Sequence, residues 1–170
     1  MNSQGDLDDD EFNDVNAGDP RPFMAEGIYP ALWAARTRKK YKWGEKLIFT
    51  WTVFTTINFR NPAMKDNCVS LPGYYNVRRD KGKRPIFGPG SAYRKDWIAA
   101  NDGRLPQPPH RLPLSVFRGG FLFVEVATVN EDTRGPLHRS CYWSKVQRVI
   151  RPVREDDIVE RLPLELDDID

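Results

Sequence analysis

Hydrophobic and polar positions alternate with period two in several stretches of this 170-residue chain, and no sustained heptad pattern competes with them. Over 46–56, Leu47, Phe49, Trp51 and Val53 take one face while Ile48, Thr50, Thr52 and Phe54 take the other, which predicts a strand with Phe49 and Trp51 in the core. Residues 27–35 read as a preceding strand, with Pro30 implying a bulge or an edge position, and a basic turn over 36–44 makes the two a hairpin. Turn chemistry over 58–70 leads to a short strand, 71–77, and then to a basic loop, 78–84. Later, 121–129 carries an even-numbered apolar face of Leu122, Val124 and Val126. After a turn at 130–136, residues 141–153 alternate well enough to close the sheet, with Tyr142, Val146, Val149 and Ile150 as apolar surface. The best helix candidate is 91–100: Ser91 can cap it, Gly103 follows its end, and Trp97 is expected against the sheet. The proline-rich connection 104–113 should wrap the surface.

Fourteen prolines and twelve glycines argue against a helical bundle. The order β-β-β-α-β-β predicts a mainly β fold, a five-stranded oligonucleotide-binding-type barrel with one short helix. Such barrels use one sheet face and adjoining loops for nucleic acid, but a fold alone does not establish function, so particular residues must carry that claim.

Charge sharpens the picture. Residues 1–20 hold seven acids and no base, and 155–170 hold eight acids against Arg161 alone. The stretch 21–154 has 25 of the 26 bases and nine of the 24 acids, a formal +16 that the whole-chain +2 conceals. This division predicts a disordered acidic arm over 1–22, one basic β domain over 23–154 and a disordered acidic tail over 155–170. A basic body between acidic arms suits a polyanion binder whose tails guard its surface, although acidic ends also simply keep a basic domain in solution.

No apolar run approaches the roughly 18 residues of a bilayer span, and the acidic start does not read as a signal peptide, so a cytoplasmic location without membrane attachment is expected. Catalysis finds little support. The acids of the body are scattered singly apart from Glu131-Asp132, and neither His110 nor His138 stands beside a nucleophile motif. Cys68, His110, His138 and Cys141 lack the paired spacing of a zinc site, and 82–90 has the wrong order for a phosphate loop. The expectation is therefore no enzyme, no metal and no cofactor.

Two segments interleave aromatics with bases. The first holds Trp33, Arg36, Arg38, Lys39, Lys40, Tyr41, Lys42 and Trp43; the second holds Tyr74, Tyr75, Arg78, Arg79, Lys81, Lys83 and Arg84. Cationic side chains track phosphates while exposed rings stack on unpaired bases, so this combination points to single-stranded nucleic acid. Tyr93, Arg94 and Lys95 of the helix could border the same groove. For any single ring, notably Trp33 and Tyr75, burial in the core is the ordinary alternative.

The chain finishes Glu165-Leu166-Asp167-Asp168-Ile169-Asp170. Its Asp167-Asp168-Ile169 resembles the acidic-then-isoleucine part of the tail tip in single-stranded-DNA-binding proteins of bacteria and phages. Their tips close with proline and an aromatic residue, whereas this one closes with Asp170. The body, with 27–31 and 74–77, resembles small proteins of phages, plasmids and integrative elements. These resemblances imply single-stranded DNA as partner, with Asp167, Asp168, Ile169 and Asp170 docking replication or recombination enzymes, in a protein that coats or delivers strands as a monomer or homo-oligomer. Two other readings fit the same charges. Acidic arms could imitate nucleic acid and inhibit a host enzyme or defence complex, and the stacking surface could serve structured RNA.

Overall fold

Leu47, Phe49, Trp51 and Val53 are buried in strict alternation along a strand running Gly44–Phe54, with half-buried residues between them. The computed structural model describes residues 21–55 and 68–159. Residues 1–20 of the expected acidic arm, most of the expected turn 58–70 and the tip Asp167–Asp170 lie outside the described residues. The strands are β1 (Gly27–Tyr41), β2 (Gly44–Phe54), β3 (Cys68–Arg79), β4 (Pro85–Ile86), β5 (Leu122–Val129), β6 (Glu131–Asp132), β7 (Gly135–Pro136) and β8 (Trp143–Pro152). Six of them form one antiparallel sheet in the order β4-β3-β2-β1-β5-β8, and β6 and β7 form a separate small hairpin.

β1 is longer than its sequence suggests. The run expected as a basic turn, 36–44, continues the strand to Tyr41, and Lys42-Trp43 alone make the turn. Pairing with Gly44 through Leu47 holds the basic residues extended, and alternation sends neighbouring charges to opposite faces. The bulge falls between Trp33 and Ala35 rather than at Pro30. Pro30 pairs only with Phe123 of β5, one residue before pairing with β2 begins at Ala31, so its missing N–H costs the β2 ladder nothing.

Rings fill the interior. Phe49 meets Trp33, Trp51, Tyr75, Tyr93 and Phe117 edge to face, with centroids 5.1–6.1 Å apart. This geometry sets the positive edge of one ring against the negative face of another, adding about 0.5–1.5 kcal/mol per pair to the burial itself.

Among the described residues the sheet is not closed into a barrel, and it has six strands rather than five. No ladder joins β3 to β8 among the described residues, although the two approach so closely that a Cβ on Gly73 would sit 3.5 Å from the Val146 carbonyl. Pro72 offers no N–H on β3, and the helix α1 (Ala92–Ala100) takes up the gap. From α1, Asp96 accepts from the Tyr75 hydroxyl of β3 at 2.6 Å and from Val149 N–H of β8 at 3.1 Å.

α1 begins as its sequence implies, with Ser91 Oγ accepting from Arg94 N–H at 3.2 Å. It ends at Asn101, and Gly103, at φ 79°, donates its N–H to the Ile98 carbonyl. Tyr93, Asp96, Trp97 and Ala100 form its buried face. The connection after it is stapled back by Trp97 Nε1 donating to Pro113 and Arg94 donating to Pro109. The tail expected to be disordered from 155 instead begins with a short helix, α2 (Glu155–Val159), held by Asp157, which accepts two hydrogen bonds from Arg151 and one from Arg154 N–H. Those donors hold the Asp157 carboxyl far below the usual carboxylate range.

Candidate nucleic-acid interface

The bulge in β1 decides which bases face which way. Trp33 pairs with Trp51 on the inner face, and the extra residue resets the parity so that Arg36, Arg38 and Lys40 also lie inward, opposite Phe49, Leu47 and Glu45. Lys39 and Tyr41 consequently lie on the outer face beside Lys46 and Gly44. From β3, Tyr74, Asn76 and Arg78 share that outer face, while Tyr75, Val77 and Arg79 share the inner one.

On the outer face the side chains form a file. Tyr41 and Trp43 stack at 4.7 Å with planes 11° apart, and Lys39 Nζ lies 5.4 Å from the Tyr41 ring. Lys46 Nζ sits between two rings, 5.1 Å from Trp43 and 5.5 Å from Tyr74. Tyr74 then meets Trp143 of β8 edge to face at 6.1 Å, and the Arg21 guanidinium covers Trp143 at 4.7 Å. Trp43 is 67% exposed, and the strands beneath present Ile48, Thr50 and Thr52 half-buried. Half-burial pushes the Tyr74 hydroxyl above its ordinary value, so it stays a neutral donor at physiological pH. No acid occupies an outward position of β1, β2 or β3 among the described residues.

In comparisons with family models, curated proteins and solved structures, nothing matches this chain. Its chemistry must therefore be read from its own residues.

The expected site divides. Lys39, Tyr41, Trp43 and Tyr74 come together in the outer file, with Lys42 in the adjoining turn and Arg78 on the same face of β3. Tyr75 and Tyr93 are core residues, each 4% exposed, because they pack against Phe49 and each other. Burial raises the Tyr93 hydroxyl to about 12, and burial together with the Asp96 charge raises that of Tyr75 well above its ordinary value. Trp33 is half-buried, perpendicular to Phe49 with Arg118 over its ring, and it packs with the core.

Several bases are elsewhere. Arg79 is clamped by Glu45 through two bonds of 2.6 and 2.7 Å, which hold the carboxyl below its usual range. Arg36, Arg38 and Lys40 belong to the inner end of the sheet. Lys81, Lys83 and Arg84 are exposed on the turn before β4, which Asp80 fixes by accepting from Arg84 N–H at 2.8 Å. Arg94 is committed to Pro109, and Lys95 is exposed on α1, behind the sheet.

Sequence reasoning missed Lys46, Trp143 and Arg21. Lys46 belonged to a strand read as core. Trp143 begins β8 with Lys145 two residues on, the same alternation of ring and base that marked the other strands. Arg21 lay inside the expected disordered arm, yet Pro22 beside it accepts from Ser144 N–H at 3.0 Å.

Proposed function

We propose that the outer face of β1, β2 and β3, extended by Trp143 and Arg21, binds single-stranded nucleic acid, with DNA as the physiological strand. The observation that carries this reading is the unbroken file Tyr41, Trp43, Lys46, Tyr74, Trp143, Arg21, each within 6.1 Å of the next. Rings supply stacking surfaces that tolerate any base, at about 1–3 kcal/mol per base, and the interleaved cations meet the phosphates between them. An acid-free face removes the main electrostatic obstacle to such a polyanion.

The strand order supports an oligonucleotide-binding-type arrangement. β1 pairs with β2 at one end and β5 at the other, α1 falls between β3 and β5, and the order of the long strands is β3-β2-β1-β5-β8. In that fold the second and third strands and the first hairpin loop form the binding face, which is where the file lies. The protein would coat or deliver strands in replication, recombination or transfer, and its acidic ends would restrain binding.

Fluorescence titration at fixed salt with a single strand, its duplex and the equivalent RNA tests the reading. Tight binding to the single strand with weak sequence preference is expected. Equal affinity for the duplex and its separated strands would overturn it.

A further inference from the structure

On the inner face of the same hairpin, opposite the aromatic file, lies a cleft of about 610 Å³. Its lining sets the exposed Arg36 and Arg38 beside apolar walls of Leu47, Val77, Leu112 and Leu114, with the Phe87 and Tyr93 rings between them. Both guanidiniums are available: Arg38 reaches Glu45 only at 3.9 Å, and Arg36 has no ion-pair partner among the described residues. Glu45 is instead occupied by Arg79 at 2.6 Å.

An occupant must bring apolar groups for the walls and an anion for the two guanidiniums. A nucleotide is the poorer fit, because the two rings of the lining are taken up with each other, Phe87 stacked on the buried Tyr93 at 4.0 Å, and the Tyr93 hydroxyl faces the Leu112 carbonyl at 3.5 Å, which leaves little to read a base edge. An acidic peptide rich in leucine or isoleucine satisfies both demands, and the chain carries one. Residues 160–170 hold Leu162, Leu164, Leu166 and Ile169 among Glu160, Glu165, Asp167, Asp168 and Asp170, with Arg161 as the one base.

The segment also starts within reach. Tyr93, in the first turn of α1, lines the cleft, and just beyond the other end of α1 Asp102 pairs with Arg154 at 3.1 Å, next to α2. A nine-residue helix such as α1 is about 14 Å long. Eleven further residues can span up to roughly 36 Å when extended.

We propose that segment 160–170 docks into this cleft of its own chain, with its acids on Arg36 and Arg38 and its leucines and isoleucine on the apolar walls. Because the cleft and the aromatic file occupy opposite faces of the hairpin, this docking does not rest on the nucleic-acid reading. The segment would act on strand binding through charge rather than by covering the rings.

The test uses the full chain with Cys68 and Cys141 replaced by serine and a spin label on Asp170→Cys, reading methyl signals by NMR. Methyls of Val77, Leu112 and Leu114 should lose about twofold or more of their intensity relative to Ile48 at low salt, and recover as salt screens the contact. The Asp167→Lys/Asp168→Lys pair and the Arg36→Ala/Arg38→Ala pair should each abolish the effect; if the arginine pair fails to fold, the tail pair alone decides. Broadening centred on Ile48 and Thr52, or spread evenly, would overturn the proposal. So would equal broadening of isotope-labelled protein that lacks the spin label when isotope-free, spin-labelled protein is added, since the occupant would then be a second copy. Adding oligothymidylate to the same sample separates the two readings: an unmoved Ile48 signal would sink the nucleic-acid face and leave the cleft result standing.

Discussion

The Tyr75 hydroxyl donates to Asp96 Oδ2 at 2.6 Å while Val149 N–H donates to Oδ1 at 3.1 Å, so one buried carboxylate ties β3 and β8 to α1. Burial raises Asp96 to about 6, and these two hydrogen bonds only partly oppose it. A carboxyl whose folded value lies above its unfolded value favours the fold when protonated. Its contribution is fully present below about pH 4 and is lost as pH rises through about 6. Asp96→Asn can keep both contacts, with its oxygen accepting from Val149 and its amide donating to Tyr75. Urea unfolding across this range should show the native protein losing on the order of 2–3 kcal/mol relative to the asparagine variant as pH rises. A pH-independent difference would mean that Asp96 titrates as an ordinary surface acid.

Gly73 is required by its neighbours rather than by its backbone angles. A Cβ there would lie 3.2 Å from Trp51 Nε1 and 3.5 Å from the Val146 carbonyl, against a fully buried indole on one side and β8 on the other. Gly73→Ala should destabilise by about 1–3 kcal/mol through overpacking, measured as a shifted denaturation midpoint with unchanged slope. Little or no loss would show that β3 and β8 can part without cost.

Alternation made most of the sheet legible. It gave the inner and outer faces of β2, the even-numbered core of β5, and α1 with its serine cap, because each depends on local pattern alone. What could not be read was the parity of β1. One inserted residue between Trp33 and Ala35 exchanges the faces of everything after it, and nothing in Trp33-Ala34-Ala35 announces it. That slip sends Arg36 and Arg38 to the cleft and Tyr41 to the file. Tyr75 was misread for another reason: paired tyrosines on a strand necessarily point to opposite faces, so one of Tyr74 and Tyr75 had to be core. The open edge between β3 and β8 was also illegible, since it depends on where Asp96 lands in three dimensions.

The file and the core should separate cleanly under mutation. Trp43→Ala, Tyr74→Ala and Trp143→Ala should each weaken single-strand binding by about 1–3 kcal/mol with little change in melting temperature. Phe49→Ala, which removes the hub of five ring contacts, should instead cost about 3–5 kcal/mol of stability. Paired titrations and thermal melts would check this. Early melting of all three file variants, with normal affinity per folded molecule, would place those rings in the core.

Salt dependence tests the cations as the rings test stacking. Each phosphate neutralised on a single strand contributes about 0.7 to the slope of log affinity against log salt. Lys46, between Trp43 and Tyr74, should be one such contact, so Lys46→Ala should weaken binding to every sequence alike and reduce the slope by about that amount. Arg79→Ala should leave the slope unchanged, because its guanidinium is already spent on Glu45 at 2.6 Å. Arg36→Ala should leave it nearly unchanged as well, since that residue lies on the opposite face. A slope that falls for Arg36 or Arg79 but not for Lys46 would move the strand from the outer face to the inner end of the sheet.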